Sequence, residues 1–166
     1  MVANTFPGGD RSTGNDRFTD VGLDLQYQHT GAPDDIALRL SWIREQQDLD
    51  ASQQLGAASN KSNRLDTFDG NLSYLYDKTW GLTAGYSNLR GDEDVAYYGT
   101  DNGSPDSSWV TLQLDWLPYN KRGGPSLWPW FNPKISAQSV AYSRFDGTTT
   151  AASDNNTFYL QAWLVF

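Results

Sequence analysis

The chain has 166 residues, a net charge of -8, 38% hydrophobic and 14% aromatic residues and no cysteine. That length suits one domain; the aromatic content excludes a disordered tail, and the runs of about 20 apolar residues that a helical membrane protein needs are absent. No disulfide, thiolate metal site, cysteine nucleophile or covalent c-type haem attachment is available, and without a Lys/Arg stripe an acidic chain does not suit nucleic acid.

Residues 1–17, with Pro7-Gly8-Gly9 among Asn, Asp and Thr, read as an external loop or a truncated upstream region. Met1-Val2-Ala3 runs directly into polar sequence without the basic and apolar segments of a signal peptide. From 18 to 166 the chain alternates in short segments of period two, the side-chain period of a strand. Phe18 to Gln28 sets Val21, Leu23, Leu25 and Tyr27 against Asp20, Gly22, Asp24 and Gln26. Ile36 to Glu45 sets Ile36, Leu38, Leu40 and Trp42 against Ala37, Arg39 and Ser41. Leu65 to Asp77 sets Phe68, Gly70, Leu72, Tyr74 and Tyr76 against Thr67, Asp69, Asn71 and Ser73. Trp80 to Asn88 sets Trp80, Leu82, Ala84 and Tyr86 against Gly81, Thr83, Gly85 and Ser87. Trp109 to Leu117 sets Val110, Leu112, Leu114 and Trp116 against Thr111, Gln113 and Asp115. Lys134 to Phe145 is weaker, because Ser139 interrupts Ile135, Ala137 and Ala141. Asn156 to Phe166 sets Phe158, Leu160, Ala162, Leu164 and Phe166 against Thr157, Tyr159, Gln161 and Trp163.

Segments of about ten residues are long enough for tilted strands to cross a hydrocarbon layer. Mean hydropathy is -0.62, which a membrane barrel tolerates because only alternate residues face lipid. The connections alternate in length: 31–35 and 77–79 are short, 46–64, 89–108 and 146–156 long, and 118–133 intermediate. Short periplasmic turns and longer external loops are the habit of outer-membrane barrels. The fold expected is all-β: an antiparallel up-and-down transmembrane β-barrel of about seven to eight recognisable strands, or the C-terminal part of a larger barrel. An odd strand count points to a wall element upstream. A terminal Phe fits recognition by the barrel-assembly machinery.

Aromatic residues gather at strand ends as two interfacial girdles: Tyr27, Tyr74, Tyr76, Trp80, Trp116 and Phe166 at the periplasmic level, Phe18, Phe68, Tyr86 and Phe158 at the outer level. Asp24, Arg39, Asp69, Asn71, Gln113, Asp115, Lys134, Gln138 and Gln161 are expected to line the interior. Their acid excess predicts mild cation preference in a water-filled lumen, or opposite charges pair and plug it.

Nothing in the sequence points to an enzyme. Asp69 and Asp115 could form a glycosidase pair only at a separation of about 5 to 9.5 Å. His29, the one histidine, flanks a turn, and no nucleophile elbow is present. Asp92, Glu93, Asp94 and Asp101 could meet Ca²⁺, or bridge lipopolysaccharide through divalent ions, but their spacing matches no EF-hand and reads as a solvated loop. Trp128-Pro129-Trp130-Phe131, on a periplasmic turn, should pack under the barrel mouth or meet a partner.

The run Arg17 to Gln28, the segment Ser41-Trp42-Ile43-Arg44-Glu45 and Asp154 to Leu160 resemble a proteobacterial family usually labelled cytochrome c. The loop Asn102 to Asp106 and the run Val140 to Gly147 carry the same resemblance. That family couples an N-terminal haem-binding segment to a porin-like outer-membrane barrel, and the similarity covers its C-terminal portion. The resemblance implies an outer-membrane location in a Gram-negative cell and a part in electron transfer. Haem c would sit on a segment absent here, so no haem ligand carries over and no cofactor is expected in this chain. Expected partners are outer-membrane lipid and lipopolysaccharide, the assembly machinery and a haem-bearing segment or cytochrome. The rival readings are a soluble carbohydrate-binding β-sandwich and a non-conducting structural barrel.

Overall fold

Strands with one apolar face, joined by tight turns, pair most readily with their neighbours in sequence. The computed structural model, which describes residues 1–9, 12, 14–119 and 132–165, follows that rule throughout. Eight antiparallel strands form one open up-and-down sheet in the order β1 to β8. They are β1 (Val2–Thr5), β2 (Asp16–Thr30), β3 (Asp34–Asp48), β4 (Ser62–Tyr76), β5 (Trp80–Gly91), β6 (Ser107–Trp116), β7 (Asn132–Arg144) and β8 (Thr157–Val165). Two short helices, α1 (Asp50–Gln54) and α2 (Val95–Tyr98), interrupt the long connections. The all-β, up-and-down arrangement agrees with the periodicity, and β2 to β8 match the seven expected segments.

Two features differ from the sequence reading. Within 1–17, Val2–Thr5 forms a strand, pairing Val2 with Thr19 and Thr5 with Asp16. Several strands also run further than their apolar residues do: β3 continues to Asp48, β4 starts at Ser62 and β5 reaches Gly91. There the ladder holds the strand, so polar residues continue it without alternation.

The short turns lie at one end of the sheet, the turn end, and the long loops at the other, the loop end. Between β4 and β5, Asp77 and Lys78 take φ of 46° and 53°, and Thr79 N–H donates to the Tyr76 carbonyl at 2.9 Å. Paired left-handed residues give a turn whose twist matches that of the flanking strands.

Among the described residues the buried apolar side chains are Leu49, Ala51, Ala58 and Ala152, all in or beside the loop-end connections. Buried carboxylates organise the same region. Asp16 accepts from Ala51 N–H and Ser52 N–H at 3.0 Å each and from Ser52 Oγ at 2.5 Å. Asp94 accepts from Ser59 N–H at 2.8 Å and Asn60 N–H at 2.9 Å, and caps α2 through Tyr97 N–H at 3.0 Å. Among the described residues no apolar side chain of a strand is buried: Leu23 is 71% exposed and Leu160 73%.

Candidate functional site: a two-faced sheet

Register carries the alternation of each strand into its neighbours, so the faces run across the sheet. One rung of the apolar face joins Leu25 to Leu40, another Leu38 to Leu72. Further along, Ala84 pairs with Leu112, Leu114 with Ala137 and Ala137 with Leu160. The opposite face carries Asp24, Arg39, Asp69, Asn71, Gln113, Asp115, Lys134, Gln138 and Gln161 by the same alternation. All nine expected lining residues therefore share one face.

The polar face is concave at the turn end. A cavity of about 540 Å³ is lined both by Gln28 and Thr30 of β2 and by Lys134 of β7. In a flat sheet those strands would stand about 24 Å apart at normal strand spacing, more than a cavity of that size spans. The sheet must curl over its polar side there.

Two groups of polar residues result. Asp24, Arg39, Asp69 and Asn71 line one cavity of about 570 Å³ with Gln26 and Ser41. Ser87 Oγ donates to Asp69 at 2.5 Å. Arg39 forms no salt bridge among the described residues, and faces this cavity between two carboxylates. The second group belongs to the turn-end cavity. Lys134 Nζ lies 3.2 Å from Asp115, Ser136 Oγ donates to Asp115 at 2.6 Å and Gln113 Nε2 at 2.9 Å. Gln138 Nε2 then donates to Gln113 Oε1 at 2.9 Å. Gln161 pairs with Ser136 on exposed β8 and lines neither cavity. Gly81 makes room for this cluster, since a Cβ there would stand 3.0 Å from that of Asp115.

The aromatic residues divide between the two ends of the sheet. Tyr76, Trp80, Trp116 and Ile135 form one rung at the turn end, with the indoles of Trp80 and Trp116 stacked at 6.0 Å. Tyr27 and Tyr74 share that face, and Tyr74 Oη reaches Asp34 at 2.5 Å. Toward the loop end Phe68 and Tyr86 stand 6.4 Å apart, and Phe158 is on the apolar face opposite Ser139. Phe18 differs: it pairs with Gln47 in unbroken register with Asp20, Gly22 and Asp24, which puts it on the polar face. Trp109 and Tyr142, 5.5 Å apart, are polar-face aromatics that a girdle reading does not anticipate. Phe166 and the Trp128-Pro129-Trp130-Phe131 run lie outside the described residues.

The acidic loop is solvated as expected at Asp92, Glu93 and Asp101, and differs at Asp94. Asp92 and Glu93 are exposed, but Asp94 is 1% exposed and turned onto backbone N–H groups. Burial alone would raise its pKa, yet hydrogen bonds from Asn60, Ser59, Asn63 and Tyr97 outweigh this and bring it down to about 2. Burial pushes the neighbouring Tyr98 phenol up to about 12. Asp94 is a structural acceptor. Among the described residues no group of three or more His, Asp or Glu side chains is placed to hold a metal ion. Asp69 and Asp115 line different cavities.

No protein-family model, curated protein or solved structure matches the chain.

Proposed function

We propose that the chain forms the wall of an outer-membrane β-barrel, acting as a porin-like pore or as a sheath around an electron carrier. One observation carries the reading: the apolar face is continuous across the strands and largely exposed, half-buried along β3, while the polar face curls around cavities. Soluble monomers seldom expose an apolar patch beyond a few hundred Å², and hydrocarbon is the solvent that suits such a surface. The arrangement in a single sheet favours this over a carbohydrate-binding sandwich, which needs two stacked sheets. With Asp24, Asp69 and Asp115 against Arg39 and Lys134, a water-filled lumen would prefer cations. The sheath role rests on the family resemblance alone.

The test is refolding with and without detergent. β-structure that appears only with amphiphile, with different gel mobility in unheated and boiled samples, is the expected result. Soluble monomeric β-structure without detergent would overturn the reading. Bilayer conductance then separates a pore from a structural barrel.

A further inference from the structure

We infer that the loop-end rim of the apolar face binds the phosphate groups of membrane lipid headgroups. This rests on the barrel reading, which brings that rim to the lipid surface. The chain is acidic, with 12 Lys and Arg in all, yet four arginines converge here. Arg44 and Arg90 flank Asp66 in one rung, Arg64 is on the same strand as Asp66, and Arg144 pairs with Ser108. Immediately below, Tyr86 pairs with Val110 and opens onto the apolar face.

The rim holds a cavity of about 250 Å³ lined by Arg90 and Arg144 together with Tyr86, Asn88, Ser108 and Thr149. Asp106, also in its lining, holds the Arg144 guanidinium at 3.0 Å. Arg90 has no carboxylate within salt-bridge distance among the described residues. Two guanidiniums against one carboxylate leave the cavity positive, and hydroxyl and amide side chains supply neutral donors. Alongside, Asp66 is shared by Arg44 at 2.7 Å and Arg64 at 3.2 Å, again two cations on one acid. The Arg44 guanidinium also lies 5.2 Å from the Trp42 ring centroid, on the apolar face.

Guanidinium forks suit phosphate oxygens better than a point charge does. A lipid is the source that fits, because the phosphate would meet the arginines while its acyl chains continue over Tyr86 and Val110. A free anion would use only the upper half of this arrangement.

The experiment uses the chain folded in zwitterionic detergent, followed by thermal unfolding during titration with diphosphorylated lipid A, its dephosphorylated form or inorganic phosphate. The phosphorylated lipid is expected to raise the unfolding midpoint, and the other two to leave it nearly unchanged. Arg90→Gln should weaken the apparent affinity about tenfold, as expected for one lost charge-assisted pair. Arg90→Lys should recover part of it, and Lys134→Gln, on the other face, should leave the lipid-induced shift unaltered whatever it does to the starting midpoint. Equal stabilisation by the dephosphorylated lipid or by inorganic phosphate, or an unaltered response in Arg90→Gln, would overturn the inference. Heat-modifiable folding in detergent alone reports on the barrel reading separately. If that fails, both ideas fall; if it succeeds without phosphate dependence, only this one does.

Discussion

The Asp94 carboxylate, on the connection between β5 and β6, accepts the Asn60 N–H from the connection between β3 and β4 at 2.9 Å. One side chain thereby fastens two long loops to each other. Tight packing nearby reinforces the contact: Gly147, with φ of 77°, approaches Asn102 and Ser104 so closely that any Cβ there would clash.

Replacing Asp94 by Ala should therefore loosen the loop end and leave the strands intact. Several N–H groups would lose a charged acceptor, a loss of about 2 to 3 kcal/mol. Faster amide hydrogen exchange at Ser59, Asn60 and Tyr97, with unchanged strand protection, is the expected pattern. The acid response follows from the same group. Its folded pKa, about 2, lies below the ordinary aspartate value of 3.8, so its stabilisation is complete above the unfolded value. It is lost as pH falls through the folded one. Loop amides of the native chain should lose protection between about pH 4 and pH 2, and Asp94→Ala should abolish that step.

Lipid contact predicts a face-dependent response to charge. Leu112 is on the apolar face, 52% exposed, and the next residue, Gln113, is on the polar one. Leu112→Arg should cost about 2 to 4 kcal/mol in a bilayer, while Gln113→Arg costs far less. Urea titrations of vesicle-reconstituted protein measure both. A neutral Leu112→Arg would mean that water, not lipid, covers that face.

Ion selectivity should follow the carboxylates around the Arg39 cavity. Asp24→Asn and Asp69→Asn are each expected to lower the cation-to-anion permeability ratio, and Arg39→Gln to raise it. Reversal potentials in a salt gradient give the ratio directly. No ordered change across the three variants would remove these residues from the conducting path.

Stacking of Trp80 on Trp116 at 6.0 Å places two indoles in the turn-end aromatic rung. Trp116→Ala should cost about 1 to 3 kcal/mol, as for a half-buried aromatic contact. Indole emission in that rung should be quenched most by lipids brominated near the headgroup and least by those brominated at the chain terminus.

The strands and faces were legible because alternation, turn residues and register all derive from the same period-two geometry. Leu38, Leu72 and Leu112 announce a face wherever they occur. Val2–Thr5 is short and carries no such pattern, so only its pairing with β2 makes it a strand. Phe18 looked like a girdle residue from its position at a strand end, but its parity with Asp24 decides its face. The loop end was the least legible part. Asp94 reads like Asp92 and Glu93 in sequence, and only the long-range approach of Ser59 and Asn60 distinguishes it. The arginine rim was hidden similarly, since Arg44, Arg64, Arg90 and Arg144 come from four strands or their ends and meet through register.

Strands β2 and β8 point in the same direction, as any two even members of a meander must. An antiparallel seam between them therefore takes an odd number of intervening strands, and β1 with Met1 covers β2 only from Asp16 to Asp20. Along Val21–Thr30 the outer edge of β2 presents backbone donors and acceptors that no described strand takes up. Each such group left bare in hydrocarbon would cost several kcal/mol, on the order of a lost hydrogen bond without water to replace it. A lipid-embedded form of this sheet thus carries its own rule of assembly: whatever lies beside Leu23, Leu25 and Tyr27 must be another extended backbone, never a bare acyl chain.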